Sequence, residues 1–238
     1  MSATLPGYDL DEMNTALERL DALGRIQWVV SEFGDDVALS SSFGADSAVM
    51  LHLCTRVKPD MRVITVDTGM LFPETLAFRT QLLKRLKLNL RIYCIPPTDE
   101  VFVDNEGVMW LTNPAACCAQ QKRVLFDTAK KELGLKAWLT GIRREQTDTR
   151  RQSKIVLRDH TGLLKFSPIL DWTAEQVDCY LRAHDLPYHP LRDKGYLSIG
   201  CACCTRPVKE GEDPRAGRWP GMAKTECGLH VHNHGSGI

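Results

Sequence analysis

The alternation of short apolar segments with helical segments constrains the fold of this chain more than any other feature of its sequence. The predicted strands are short apolar runs, at residues 36–40, 61–67, 90–95 and 136–141. Helical spacing follows over residues 47–56, from Pro73 onward and over residues 114–133. Strands separated by helices favour right-handed crossovers and a mostly parallel sheet flanked by helices on both faces. We therefore predict an α/β fold that binds ligands outside the carboxyl ends of its strands.

The C-terminal part of the chain differs in composition from the rest. A length of 238 residues with 43% hydrophobic residues is enough for one large domain with a sizeable core. From Tyr196 onward, Gly, Pro, Cys and Arg replace the periodic apolar residues. We predict an α/β region over residues 1–195. Residues 196–238 are predicted to form an irregular segment of the same domain that folds over the ligand edge of the sheet.

Charge and hydropathy exclude several classes of protein. Lys and Arg together number 30, as do Asp and Glu, so the net charge of zero indicates no particular partner. The first twenty residues are acidic and amphipathic, and the chain has no run of about eighteen apolar residues. We therefore expect a cytoplasmic protein with no export signal and no membrane span. In that reducing compartment, close spacing among its nine cysteines indicates metal binding or catalysis before disulfides.

Small and polar residues follow the first predicted strand in the segment SSSFGADS, residues 40–47. This segment opens a helix, so its amides and hydroxyls can face an anion, and Asp46 is placed to cap the helix. The loop lacks the Lys of a Walker loop and looks like the phosphate-binding loop of the adenine nucleotide α-hydrolase type. The candidate binding residues are Ser41, Ser42, Gly44, Asp46 and Ser47. A purely structural turn is the alternative.

A second candidate loop, VDTGMLFPET, follows the second strand at residues 66–75. Asp67 and Thr68 are placed to hold a ribose or a base edge, because they follow a strand at the predicted ligand edge. The alternative is a turn followed by a helix cap.

Two cysteine pairs need an explanation other than core packing. Cys117 and Cys118 are adjacent in a predicted helix, where neighbours point about 100° apart and cannot both serve one apolar stripe. Cys201 and Cys204 have the C-x-x-C spacing that lets two thiolates bind one metal centre. Four thiolates suit either a structural zinc or an iron–sulfur cluster. Adjacent ligands would strain one tetrahedral zinc, whereas a cubane offers each sulfur a separate iron, so the spacing favours the cluster.

Six segments together resemble the assimilatory sulfonucleotide reductases. The segments are SSSFGADS, VDTGMLFPET, the CC pair followed by Lys122, GIRREQTDTR, GCACCTRPVKEGEDPRAGRW and ECGLH. The resemblance extends from about residue 36 to His230. Within the family, the chain more specifically resembles the adenylyl-sulfate (APS) reductases that carry a four-iron four-sulfur cluster. The family's 3'-phospho-APS (PAPS) reductases generally lack both cysteine pairs. The resemblance therefore implies APS as substrate, with PAPS as the alternative.

The resemblance also implies a reaction and its nucleophile. The thiolate of Cys227, in the motif TECGLH, would attack the sulfur of APS, release AMP and form an S-sulfocysteine. His230 lies nearby in sequence and would favour the thiolate. A second thiol must then release sulfite, which implies thioredoxin or a similar dithiol carrier as partner. A mobile C-terminal segment would let Cys227 alternate between substrate and carrier.

Further site residues follow from the family's motifs. One 4Fe-4S cluster would be held by Cys117, Cys118, Cys201 and Cys204. Cys203 would stand outside it, although the family usually has a different residue at this position. The family's basic positions, which suit a phosphate and a sulfate, correspond to Lys122, Arg143, Arg144, Arg150, Arg215 and Arg218. Solvated surface is the alternative for these clustered charges.

Two other classes of protein remain open on the sequence alone. An ATP-using nucleotide-loop enzyme with a structural zinc, such as a tRNA-thiolating enzyme, would share the α/β core and the paired cysteines. A non-catalytic zinc module that binds nucleic acid through its arginines would explain the C-terminal segment and not the loops. The favoured interpretation has no nucleic-acid or membrane partner and leaves a homo-oligomer open. Cys54, Cys94 and Cys179 lie in apolar contexts and are predicted core residues.

Overall fold

A six-stranded sheet forms the centre of the part of the chain that the structure describes. The structure is a computed structural model that describes residues 7–94, 103–104, 107–222, 224 and 226–229. Its strands are β1 Val37–Ser40, β2 Arg62–Asp67, β3 Asn89–Cys94, β4 Val103–Asp104, β5 Gly107–Val108, β6 Ala137–Leu139, β7 Val156–Arg158 and β8 Leu164–Phe166. β4 and β5 pair with each other in a separate antiparallel ribbon.

The strand order of the main sheet is β3-β2-β1-β6-β8-β7. All neighbouring pairs are parallel except β7 and β8, which run antiparallel at one edge. The chain proceeds from β1 through β2 to β3 on one side, and β6 then pairs with β1 on the other side. This reversal creates a switch point at the carboxyl end of β1, where open α/β sheets bind ligands. The predicted α/β fold with a mostly parallel sheet is confirmed, although the antiparallel edge was not predicted.

Helices cover both faces of the sheet. They are α1 Leu10–Glu18, α2 Ala22–Phe33, α3 Ser47–Val57, α4 Pro73–Leu86, α5 Met109–Thr112, α6 Pro114–Cys118, α7 Leu125–Glu132, α8 Asp148–Arg151 and α9 Ala174–Ala183. Val37 and Leu39 of β1 face a core shared with α1, α2, α3, α4 and α9, whereas Ala38 faces Phe126 and Ala129 of α7. Both faces of β1 are therefore buried, as in a doubly covered parallel sheet. No helix among the described residues has the length and apolar character that crossing a membrane requires.

The long predicted helix at residues 114–133 contains a change of helical type. α6 ends at Cys118, a π-helical segment covers Ala119–Val124, and α7 continues from Leu125. Helical backbone is therefore continuous, as predicted, but the wider turn of the π segment changes the direction of the side chains that follow the cysteine pair. Such segments occur frequently at functional sites.

Asp46 does not cap α3 in the way that the sequence suggested. It occupies the N-cap position, but its carboxylate makes no hydrogen bond to the first turn of the helix. The carboxylate instead pairs with Arg143, at 2.6 Å from Nη1. The ion pair wins because Arg143 is almost completely buried and needs an anionic partner there. The prediction that Asp46 caps this helix was therefore wrong.

The segment after Tyr196 lies against the loops that follow β1 and β2. Ile199 packs with Ala45, and Tyr196 contacts Phe72 edge-on with ring centroids 5.4 Å apart. Cys201 forms an antiparallel bridge with Leu71, and the amide of Ala202 donates to the carbonyl of Met70 at 2.7 Å. Apart from the short 3-10 turn Ala202–Cys204, residues 196–222 contain no regular helix. The division of the domain at residue 195 stays a prediction.

Three cysteines predicted to fill the core behave differently from one another. Cys54, in α3, is completely buried, and burial strongly raises the pKa of its thiol. Cys94, at the end of the edge strand β3, and Cys179, in α9, are both exposed. An edge strand and an amphipathic helix each present one face to solvent, so an apolar sequence context does not by itself bury a side chain. The prediction was right for Cys54 and wrong for Cys94 and Cys179.

Candidate active site

A cleft lies at the switch point, beyond the carboxyl ends of β1, β2 and β6. Its volume is about 210 Å³. The loop after β1 supplies one wall through Ser41, Ser42, Gly44, Asp46 and Ser47. Thr140 and Gly141 after β6 form the opposite wall, and Leu197 to Gly200 of the C-terminal segment complete the rim. All five residues predicted from the segment SSSFGADS therefore line one cleft.

Phe43 shapes the first wall of the cleft, although no pattern in the sequence indicates this role. Its backbone is left-handed, with φ of 50°, and its side chain is almost completely buried in the core. A bulky residue rarely adopts this conformation, which costs about 1–3 kcal/mol. Burial of the ring holds the loop in this shape, while the amide of Phe43 donates to Ser41 Oγ at 3.2 Å. The small residues on either side of Phe43 consequently face the cleft.

Four of the six predicted basic residues line the cleft. They are Lys122 from the π segment, Arg150 from α8, and Arg215 and Arg218 from the C-terminal segment. Burial acts to lower the pKa of Lys122, but the neighbouring thiols of Cys201 and Cys227, in their ionised form, raise it above its usual range. Lys122 is therefore charged at neutral pH. The cleft combines small loop residues with cations, which is suited to a polyanionic ligand.

Arg218 reaches the cleft through a narrow passage. Its guanidinium lies over the Trp219 ring, with Cζ 4.4 Å from the ring centroid. On its other side is Gly200, where an added Cβ would collide with the guanidinium nitrogens. Glycine at position 200 lets the backbone approach Arg218 this closely, and a larger residue there would displace the guanidinium.

Arg143 and Arg144 do not line the cleft. Arg143 is buried and pairs with Asp46 and Glu145, at 2.6 Å and 3.1 Å. Arg144 points toward α1, where it lies 3.8 Å from Glu18, and its Nε donates to the carbonyl of Ser153. Through Asp46, Arg143 supports the loop after β1.

Asp67 and Thr68 lie outside the lining of the cleft. One oxygen of the Asp67 carboxylate accepts from the amide of Gly69 at 3.0 Å, and the other pairs with Arg79 of α4 at 2.8 Å. Thr68 is buried, with its hydroxyl 3.3 Å from the sulfur of Cys201. These contacts place Asp67 in the turn before α4 and Thr68 beside the cysteine pairs.

The two cysteine pairs meet beside the cleft. Cys117, Cys118, Cys201 and Cys204 are each less than 9% exposed and surround a cavity of about 10 Å³ together with Trp219. Cys203 also borders this cavity but is exposed, with its sulfur 3.6 Å from Cys204 and 3.5 Å from the sulfur of Met70. Segments more than 80 positions apart in the sequence thus bring four buried thiols to one place.

The thiols of the two cysteine pairs differ from one another in pKa. Burial raises the pKa of Cys117 to about 11. A hydrogen bond from Cys203, aided by Lys122 and Arg218, lowers the pKa of Cys204 to about 7. In the described residues, no three Cys, His, Asp or Glu side chains are arranged to hold one metal ion. All four thiols border one shared cavity.

Cys227 lines the cleft at the side where the four cysteines lie. A hydrogen bond from the Cys118 thiol, the charges of Lys122 and Arg218, and the amide of Leu229 together lower the pKa of Cys227 well below its usual value. The same hydrogen bond raises the pKa of Cys118. The cationic neighbours favour a thiolate at Cys227 whether or not Cys118 keeps its proton. His230, the predicted assistant of Cys227, lies outside the described residues, as do His232 and His234.

Glu226 is a site residue that the sequence did not reveal. It directly precedes Cys227 and is 8% exposed, yet it carries a carboxylate. Arg150 donates to it at 2.8 Å, the Thr147 hydroxyl donates at 3.0 Å, and Arg215 lies 3.6 Å away. Burial opposes ionisation, but the two arginines offset it and lower the pKa of Glu226. The only signal in the sequence is an acidic residue beside the candidate nucleophile.

Comparisons with known proteins identify the family of this chain. Residues 36–207 match the family described as the phosphoadenosine phosphosulfate reductase domain. An adenosine 5'-phosphosulfate reductase of Halalkalibacterium halodurans is 42% identical over 226 residues, covering 93% of this chain and 96% of the relative. A phosphoadenosine 5'-phosphosulfate reductase of Xylella fastidiosa is 43% identical over 233 residues, covering 97% of this chain and 98% of that relative.

A solved structure supports the same fold. The phosphoadenylyl-sulfate reductase of Candida auris, in a phosphate complex, superposes with a TM-score of 0.73 at 27% identity. The match covers 85% of this chain and 98% of that one. The predicted adenine nucleotide α-hydrolase-like fold is therefore confirmed.

The passage beside Gly200 gives a prediction about the cleft. In Gly200→Ala the new methyl group displaces the Arg218 guanidinium. AMP binding should therefore weaken by about tenfold, because one charge-assisted hydrogen bond contributes about 1.5–3 kcal/mol. Isothermal titration calorimetry measures the affinity. The melting temperature should change little, because the displaced group is the end of a flexible side chain. Adding Gly200→Ala to Arg218→Ala should weaken AMP binding no further, and unchanged affinity in Gly200→Ala would show that Arg218 does not hold the nucleotide.

Proposed function

Because this chain belongs to the phosphoadenosine phosphosulfate reductase domain family, we propose that it reduces APS to sulfite and AMP through an S-sulfocysteine at Cys227. The observation that carries the proposal is the position of Cys227. Its side chain lies in the cleft formed by the loop after β1, and Lys122 and Arg218 lie close enough to favour its thiolate. A nucleophile, a phosphate-binding loop and cations thus share one cavity.

The first half-reaction transfers the sulfo group. The Cys227 thiolate attacks the sulfur of APS, the bond from that sulfur to the bridging phosphate oxygen breaks, and AMP leaves with the electron pair. The product is Cys227-S-SO3⁻ with no net oxidation by any outside reagent. Repulsion between the thiolate and the anionic sulfate and phosphate is the main electrostatic obstacle to the reaction. Lys122 and Arg218 would neutralise these anions as the thiolate approaches.

The second half-reaction needs a dithiol, and we propose thioredoxin or a similar carrier. One carrier thiolate attacks Cys227 Sγ, which releases sulfite and leaves a mixed disulfide. The second carrier thiol then attacks its partner sulfur, frees the Cys227 thiol and leaves the carrier oxidised by two electrons. We propose that the protein acts in the reducing cytoplasm, where a dithiol carrier is kept reduced.

We further propose that Cys117, Cys118, Cys201 and Cys204 hold one 4Fe-4S cluster. The residues fit such a group, because four buried thiols of the type that iron prefers border one cavity. The adjacent ligands Cys117 and Cys118 would strain a single tetrahedral zinc, which favours a cluster that offers each sulfur a separate iron. When bound, the cluster would cross-link α6 to the 3-10 turn Ala202–Cys204 and fix the π segment that carries Lys122.

The choice between APS and PAPS depends on these cysteines. Relatives of nearly equal identity carry both names, so overall similarity does not discriminate between the two substrates. The two cysteine pairs, which PAPS reductases of the family generally lack, favour APS. Membership of the family also favours a reductase over an ATP-using enzyme or a nucleic-acid-binding zinc module. His230 stays a predicted assistant of Cys227.

Replacement of the nucleophile tests the reaction. Cys227→Ser exchanges a readily ionised thiol for an alcohol, so turnover with APS and thioredoxin should fall roughly a thousandfold or more while AMP affinity is kept. Wild-type enzyme mixed with APS and no reductant should gain one SO3 group on the Cys227 peptide, and thioredoxin should remove it. Cys179→Ser, at an exposed cysteine far from the cleft in sequence, is the control and should behave as wild type. An adduct on another cysteine would refute the mechanism.

A second set of variants tests the cluster. After anaerobic purification, Cys201→Ser and Cys204→Ser should lose iron, sulfide and visible absorption, because each removes a proposed ligand. Cys203→Ser should keep all three, since its side chain is exposed. Iron and sulfide analysis with a visible spectrum gives the answer. Loss of colour in Cys203→Ser together with its retention in Cys204→Ser would reverse the assignment, and a colourless wild-type protein containing zinc would overturn it.

A further inference from the structure

The cations of the cleft divide into two groups according to their partners. Among the described residues, Lys122 and Arg218 have no carboxylate partner, and Arg218 is held only by the Trp219 ring and by close packing against Gly200. Arg150, by contrast, binds the side chains of Glu226 and Gln146. The two groups cannot replace one another, because a guanidinium that already binds a buried carboxylate has few donors left for a second anion.

Arg150 has all three of its guanidinium nitrogens engaged. Its Nε lies 2.7 Å from Glu226 Oε1, and its Nη2 donates to Glu226 Oε2 at 2.8 Å. Its Nη1 donates to the side-chain oxygen of Gln146. Arg150 and Glu226 are 7% and 8% exposed. A forked ion pair this deeply buried is costly to separate, since each charge would lose its partner without regaining water.

Glu226 is held by more than Arg150. The Thr147 hydroxyl donates to Oε1 at 3.0 Å, and Arg215 approaches Oε2 at 3.6 Å while its other terminal nitrogen donates to Ser198. The buried Lys165 also lies within the electrostatic reach of Arg150 and Glu226. Glu226 is thus the anion of a predominantly cationic cluster, and it is adjacent to Cys227 in the chain.

We propose that Arg150 and Glu226 position the nucleophile, and that Arg150 does not bind the substrate. The forked pair docks residues 226–229 against α8 and thereby places Cys227 in the cleft. Direct contact between Arg150 and a substrate anion would require Glu226 to leave, which would withdraw Cys227, one residue and about 3.8 Å of chain away. Substrate charge is therefore met by Lys122 and Arg218. This inference rests on the proposed role of Cys227 as nucleophile.

The test measures how accessible Cys227 is without any nucleotide. Wild type, Arg150→Met, Glu226→Gln and the double variant are treated with iodoacetamide, and labelling of the Cys227 peptide is followed by mass spectrometry. Rates are compared on the high-pH plateau, where all Cys227 is thiolate and differences in its ionisation do not enter. Each single variant should be labelled about tenfold or more faster than wild type, because a buried forked pair is broken. The double variant should be no faster than the faster single variant, since both act through one contact.

Control variants separate docking from general damage. Arg206→Met and Glu212→Gln break a partly exposed ion pair of the same C-terminal segment, 2.9 Å between Arg206 Nη1 and Glu212 Oε2, and should leave the labelling rate unchanged. Glu226→Asp keeps the negative charge but retracts the carboxylate, so it should give an intermediate rate even if Glu226→Gln folds poorly. Hydrogen exchange of the peptide containing Cys227 should follow the same order.

Steady-state kinetics with APS complete the test. In Arg150→Met and Glu226→Gln, kcat should fall by about tenfold or more while KM changes less than about twofold, whereas Arg218→Ala should raise KM. Unchanged labelling in both single variants, or a large rise of KM in Arg150→Met alone, would overturn the proposal and make Arg150 a substrate ligand. If APS proves not to be the substrate, the labelling results still decide whether the pair docks Cys227, so the two proposals fail separately.

Discussion

The concentration of positive charge around Cys227 is the constraint on which the rest of the site depends. Lys122, Arg150, Arg215 and Arg218 all border one cleft at the switch point of the sheet. Buried or half-buried cations without anions are costly, so the fold must supply negative partners. Glu226 supplies one, ionised thiols can supply others, and an anionic substrate would complete the set. Docking of the C-terminal segment through Glu226 and the placement of the cysteines beside Lys122 and Arg218 can both be understood from this requirement.

The fold is predictable from local patterns where those patterns are strong. The four predicted strands correspond to β1, β2, β3 and β6, because apolar runs followed by helical spacing leave few alternatives. β7 and β8 were missed, since their short antiparallel pairing depends on tertiary contacts with β6 and not on periodicity. Local signals failed in a similar way at Asp46, where a long-range ion pair replaced an expected cap.

The site residues likewise divide into those that the sequence predicts and those that only the structure reveals. Cysteine spacing and the small-residue loop are chemical signatures that residue identity alone can carry, and the structure brings those residues to adjacent cavities. Identity alone could not separate Arg150 from Arg218, because both lie in basic clusters. Their difference comes from Glu226, 76 positions from Arg150 in the chain, and from the glycine and tryptophan that enclose Arg218. Side-chain pairing over such distances leaves no pattern in a single sequence.

We propose that this cleft reduces a sulfonucleotide without a 3'-phosphate. The most direct test compares kcat/KM for APS and for PAPS with the same thioredoxin and anaerobically purified enzyme. Lys122 and Arg218 suffice for the phosphate and sulfate that both nucleotides share. Among the described residues, the other two cations that line the cleft, Arg150 and Arg215, both lie beside Glu226, so neither is left to a 3'-phosphate. We expect the kcat/KM for APS to be at least about tenfold higher than that for PAPS. This ratio corresponds to a difference of about 1.4 kcal/mol in transition-state binding. A preference for PAPS would contradict the proposal.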